Sequence, residues 1–267
     1  MRCLRFTLVA ATALIAAPAV ASPLTVSAFV GGAPTGVVRD NFDWITPQFA
    51  PQGGSVALLS PQSGITVRLV GGSSAMANAR AGAVTGAVVG KYAAPFLSGN
   101  NGVGFGNDNG VNNPPAGNQT PAFGADETVY LTTGSTGANA SPGSEIEIVL
   151  PAGGPYFYLG LLWGSVDDYN SLLFYNGATL IGAITGVDVT TSPNGDQGVN
   201  GTLYVNITST QGFDRVVARS TQFAFEFDNL AFNRTIPPEL GVPEPASLAL
   251  LGAGLLGLGF AARRRRR

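Results

Sequence analysis

Residues 145–163 read EIEIVLPAGGPYFYLGLLW. Glu145-Ile146-Glu147-Ile148-Val149-Leu150 alternates polar with apolar side chains, the period of a strand with one face buried. Proline and glycine then interrupt the chain. Tyr156 to Trp163 follows as a run that is apolar on both faces, which predicts a strand in the middle of a sandwich. Downstream, Leu172–Tyr175 and Ala178–Ile184 flank Asn176-Gly177, a two-residue hairpin signal. Gly201 to Thr208 sets Leu203, Val205 and Ile207 on one face, and Phe213 to Ala218 predicts another short strand. Gln222 to Phe232 (QFAFEFDNLAF) places Phe223, Phe225 and Phe227 together and bends near Asp228-Asn229. Upstream, Ile65–Val70 and Ala83–Val89 read as strands, and Asp40–Phe49 as a short amphipathic helix. Roughly six to eight strands of this kind predict an all-β fold, an antiparallel β-sandwich of jelly-roll-like form.

Composition removes several chemistries. The chain has no histidine, and its single cysteine is Cys3. A Ser-His-Asp triad, a Cys-His dyad and a Cys/His zinc site are therefore excluded. Residues 22 to 242 hold seven basic against 15 acidic residues, a net of −8. A domain so acidic is not expected to bind nucleic acid, which requires phosphate neutralisation. Carboxylate chemistry and oxygen-ligand metals such as calcium survive these exclusions. The Gly/Asn-rich stretch at 98–122 lacks the Lys-Ser/Thr of a phosphate loop. Its Asn107-Asp108-Asn109-Gly110 run lacks the spacing and closing glutamate of an EF-hand, so it reads as a solvated surface loop.

Both ends read as targeting signals. Arg2 and Arg5 precede an apolar run from Phe6 to Ala17, and small residues then lead to Ala21-Ser22. That order predicts a secretory signal peptide over residues 1–21, cut between Ala21 and Ser22 by signal peptidase after passage through the translocon. At the other end, a proline-rich linker at 237–242 leads into Val242-Pro243-Glu244-Pro245. The 17 uncharged residues Ala246–Ala262 and the cluster Arg263, Arg264, Arg265, Arg266 and Arg267 follow. As a helix the apolar segment would be about 25 Å long, a single transmembrane span if flanking residues snorkel. The arginines would remain cytoplasmic and leave the domain at 22–236 outside.

This tail resembles the PEP-CTERM sorting signal of exosortase substrates, with the motif, span and basic cluster over residues 243–267. The resemblance implies cleavage near Pro243-Glu244-Pro245 by a membrane-embedded exosortase in a Gram-negative bacterium. It also implies an inner-membrane intermediate and a final place at the cell surface or in the extracellular matrix. Prolines on both sides of Glu244 keep that stretch extended for a processing enzyme.

Trp163-Gly164-Ser165-Val166-Asp167-Asp168-Tyr169-Asn170 is the richest polar cluster. With Phe225-Glu226-Phe227-Asp228-Asn229 it resembles a subfamily of exosortase-dependent surface proteins, over roughly Glu145 to Phe232, a resemblance that brings no activity with it. As structure, Trp163 would cap the core and Asp167 and Asn170 would close Asx turns. As a site, Asp167, Asp168, Asn170 and Asp228 would be a candidate calcium loop, and Trp163 or Tyr169 a stacking platform for sugar. No other cofactor is expected. Glu145 and Glu147 share a strand face but read as solvated charge on an edge strand, and adjacent Asp167 and Asp168 point to opposite faces.

The expected function is a non-enzymatic surface or matrix protein with a structural role in envelope or biofilm. The alternative is a lectin-like module for extracellular polysaccharide, calcium-dependent if the loop binds metal. A carboxylate-based glycosidase stands third and requires a carboxylate pair in a cleft.

Overall fold

A computed structural model describes residues 26–98, 101–102, 104–105, 124–125, 128–135 and 141–240. The expected signal peptide, most of the 98–122 stretch, the PEP motif, the apolar segment expected to span the membrane and the arginine cluster lie outside the described residues. Among those described, no helix is long and apolar enough to cross a membrane.

The strands are β1 (Val26–Val30), β2 (Val38–Asp40), β3 (Gln48–Phe49), β4 (Ser55–Leu59), β5 (Thr66–Gly71), β6 (Gly82–Val84), β7 (Phe96–Leu97) and β8 (Gly124–Ala125). They continue with β9 (Tyr130–Thr132), β10 (Ser144–Val149), β11 (Tyr156–Gly164), β12 (Asn170–Asn176), β13 (Thr179–Thr185), β14 (Leu203–Phe213), β15 (Arg215–Ser220) and β16 (Glu226–Asn233). One sheet runs β1-β14-β11-β16-β9-β6-β3, with β2 also on β16; the second runs β13-β12-β15-β10-β5-β4. Each pairing between these strands is antiparallel. The fold is all-β and sandwich-like, as the alternation at 145–150 predicts.

Both sheets contribute to one core. Ile146, Ile148, Leu172 and Val216 come from the second sheet, and Leu161, Trp163, Val205 and Phe227 from the first. Aromatic pairs tie the two together, among them Phe174 on Phe213 at 5.1 Å. β10 is a central strand, not the edge strand expected. Its outward carboxylates are matched across the sheet, Glu147 to Arg68 at 3.0 Å and Arg215 at 3.3 Å, and Glu145 to Arg219 at 2.6 Å. Cross-strand partners of opposite charge make this pair of glutamates a surface ladder.

β11 is buried on both faces, which accounts for its continuous apolar run. Its outward residues Tyr158 and Leu162 join Leu97, Phe105, Tyr204 and Ala231 in a second cluster. The Tyr158 hydroxyl donates to Asn206 Oδ1 at 2.8 Å beneath this cover. Gly160 makes room for it: a Cβ there would stand 2.2 Å from the Tyr158 hydroxyl and 2.7 Å from that of Tyr204. Gly160→Ala is expected to cost about 1–3 kcal/mol through overpacking, measured by urea denaturation.

Three local expectations are corrected. Asp40–Phe49 is not a helix. The Asp40 carboxylate accepts from Phe42 N and Trp44 Nε1, each at 2.9 Å, and from the Ser60 and Ser63 hydroxyls. Such bonds compete with helical ones, and Phe42 takes φ +61°. The strand expected at Ala83–Val89 stops at Val84, because a tight turn closes from Val88 to Tyr92. Phe223 does not share the core with Phe225 and Phe227, because β16 begins only at Glu226. The expected bend near Asp228-Asn229 is a bulge: Asn229, at φ +52°, and Leu230 together lie opposite Leu161.

Candidate functional site

The segment from Ser165 to Tyr169 joins β11 of one sheet to β12 of the other. Ser165 takes φ +37°, turning the chain out of β11. Val166 N donates to Gly201 O at 2.8 Å, and Gly195 N to Val166 O at 3.1 Å. Those bonds clamp the loop against residues 194–201. Gly195, at φ +68°, lies so close that a Cβ there would stand 2.6 Å from Asp167 Oδ1. On its other side, Thr221 N donates to Tyr169 O at 3.3 Å, and the Tyr169 hydroxyl donates to Phe223 O at 3.2 Å.

The start of β16 closes the floor. Phe225 and Phe227 point into the core, so Glu226 faces the opposite way and is 2 % exposed. Glu226 Oε1 accepts from Ala93 N at 2.9 Å and Oε2 accepts from the Ser165 hydroxyl at 3.0 Å. A third wall is the turn from Val88 to Tyr92, where Lys91 Nζ stands 3.8 Å from the Phe223 ring centroid. Together these segments enclose a cavity of about 400 Å³, with Lys91, Ser165, Asp167, Tyr169, Gln197 and Glu226 on its lining.

Burial sets the protonation here. It pushes the Glu226 carboxyl up to about 7, against the hydrogen bonds from Ala93 and Ser165; the Asp167 charge adds to the rise. Asp167 is raised by burial first, with the neighbouring Asp168 charge in the same direction. The Tyr169 phenol is raised, again chiefly by burial and then by its hydrogen bond with Asp167.

Only one residue of the candidate calcium loop lies in this cavity. Asp167 lines it, whereas Asp168 is exposed. Asn170 is fully buried on the face of β12 that carries Leu172 and Phe174. Asp228 is fully buried and pairs in register with Leu162, so it belongs to the covered outer face. Trp163 is fully buried and stacked on Phe225 at 4.4 Å, which makes it a core residue and no platform for sugar. Among the described residues no group of three or more His, Cys, Asp or Glu is placed to hold a metal ion. The calcium loop is therefore not assembled by this arrangement.

Glu226, Ser165 and Lys91 were not among the expected site residues. The parity of F-E-F-D-N carries the signal for Glu226, since two core phenylalanines force the glutamate between them onto the other face. Lys91, the only lysine of the chain, comes from a distant turn that no local pattern marks.

Comparison with known families bears on the tail. Residues 241–266 match the model of the PEP-CTERM protein-sorting motif. The chain carries a PEP-CTERM sorting motif. The match takes in Val242, Pro243, Glu244 and Pro245 and the first four residues of the arginine cluster. A PEP-CTERM motif implies passage into the membrane and exosortase-dependent processing. No curated protein matches the chain. The PEP-CTERM tail follows β16 closely. The short turn Pro238–Leu240 is packed back on the domain, with Leu240 against the second cluster and Glu239 Oε1 accepting from the Thr35 hydroxyl at 2.5 Å.

Proposed function

We propose that this protein is an exported surface or matrix component of a Gram-negative bacterium, held in the inner membrane by Ala246–Ala262 and released by an exosortase near Pro243-Glu244-Pro245. Its β-domain has a structural, non-enzymatic role in envelope or biofilm. The observation that carries this reading is the sorting motif at residues 241–266. The order of residues 1–21, which predicts a signal peptide ahead of Ser22, and the ion-paired outer face of the second sheet support it. The same reading takes the fold as jelly-roll-like, because the chain crosses between the sheets at β10–β11, β11–β12, β13–β14, β14–β15 and β15–β16.

The test is the intact mass and location of the product in a host with its exosortase and in a strain lacking it. The expected product begins at Ser22 and ends near Pro243–Pro245 only where the enzyme is present. An uncut chain retained in the membrane of both strains would make the tail an ordinary anchor.

A further inference from the structure

None of the residues that line the cavity between the Ser165–Tyr169 loop, the start of β16 and the Val88–Tyr92 turn belongs to the sorting motif at residues 241–266. We propose that this cavity is a metal-independent binding site for one neutral sugar unit, such as a residue of an uncharged polysaccharide. This goes beyond the reading above and does not depend on what happens to the tail. It also moves the saccharide site expected from the sequence away from Trp163 and away from calcium.

Four observations carry it. First, about 400 Å³ falls within the range of small-ligand sites, about 300–1,000 Å³. Second, the polar groups are built in and not merely solvated. Ser165 is 8 %, Asp167 6 % and Glu226 2 % exposed, although all three line the cavity. Third, the lining mixes acceptors, donors and groups that do both. Asp167 and Glu226 offer carboxylate oxygens, Lys91 an ammonium, and Ser165, Tyr169 and Gln197 a hydroxyl or amide. A sugar hydroxyl donates and accepts at once, so such a set can satisfy several around one ring. The rings of Tyr92 and Phe223 supply apolar wall for its C–H face. Fourth, the charge selects against anions. One lysine shares the lining with two acidic residues, and its ammonium is already placed over Phe223. A phosphate or a uronate would meet two acidic side chains, one lysine already engaged on Phe223, and no arginine fork.

The uniqueness of Lys91 supplies a reporter. The full-length protein, held in a non-glycosidic detergent, would be acetylated in the presence of glucose, galactose, mannose, N-acetylglucosamine or glucuronate, with the N-terminal amine as internal reference. At least one neutral sugar is expected to slow acetylation of Lys91 about fivefold or more, saturating at about millimolar concentration and persisting in EDTA. Gln197→Ala, on the exposed rim, and Asp167→Asn are expected to weaken that affinity about tenfold. Gln197→Ala should leave the unfolding temperature unchanged, which separates lost binding from lost folding. No protection by any neutral sugar at about 100 mM would overturn the proposal. Protection by glucuronate alone would also overturn it, as would protection abolished by EDTA.

Discussion

Raising the pH from about 4.5 to about 7 is expected to remove about 3 kcal/mol of folding stability through Glu226 alone. Burial lifts its carboxyl from an ordinary 4.5 to about 7 in the folded protein. Between those values the folded chain keeps a proton that the unfolded chain has given up. The unfolded state therefore binds fewer protons, and stability must fall as pH rises. The contribution is fully present below about pH 4.5 and fully lost above about pH 7. Asp167 and Asp43, also raised by burial, act with the same sign at the acid end. Glu226→Gln should flatten this slope, because its amide stays neutral at every pH. It can still accept from Ala93 N and can donate to the Ser165 oxygen. At pH 8 that variant should be the more stable protein, and at pH 5 the two should converge. Urea denaturation of both proteins across this range reads the effect. An unchanged slope in the glutamine variant would show that a different group sets the pH dependence.

Trp163→Ala is expected to cost about 3–5 kcal/mol, lowering the unfolding temperature by about 10 °C. Trp163 has no exposed surface and stacks on Phe225, which in turn lies 5.3 Å from Phe227. Removing the indole opens a cavity in a packed core that relaxes only partly. Trp163→Phe should cost far less, since it keeps an aromatic face towards Phe225. Among the described residues the buried indole Nε1 has no hydrogen-bond partner, so losing it sacrifices no bond there. Thermal unfolding distinguishes the two variants. A small loss for the alanine variant would contradict the core assignment of this residue.

Trp163 also marks how far the sequence could be read. Its place at a strand end, beside Gly164 and Ser165, invited a ligand role. Yet Leu159, Leu161 and Trp163 share one parity along β11, and that parity places the indole among the core side chains. Alternation made β10, β12 and the first half of β14 legible, because each is long enough to display a period of two. β2, β3 and β6 span two or three residues and show no period at all. They exist because distant strands offer them backbone partners, β2 on β16 and β6 on β9. The hairpin forms one residue along from the Asn176-Gly177 signal. Asn176 pairs with Thr179, so Gly177, at φ +56°, and Ala178 form the loop. For the cavity, the two motifs that line it were both visible, but not that they meet. Ser165 and Glu226 are 61 residues apart. Only the antiparallel pairing of β11 with β16, which sets Gly164 opposite Glu226, brings them together.

The pairing of β1 with β14 has a consequence for how such a chain matures. Val26 lies opposite Ser209, and Val30 opposite Val205. Among the described residues, a strand near the leading end thus has its one sheet neighbour about 180 residues later. During vectorial delivery across a membrane, the leading strand must wait until most of the chain has emerged. Contacts of such long sequence separation slow folding and leave strand edges unpaired meanwhile. The β1 edge of the first sheet is therefore expected to be completed only once the last third of the chain is available on the same side of the membrane.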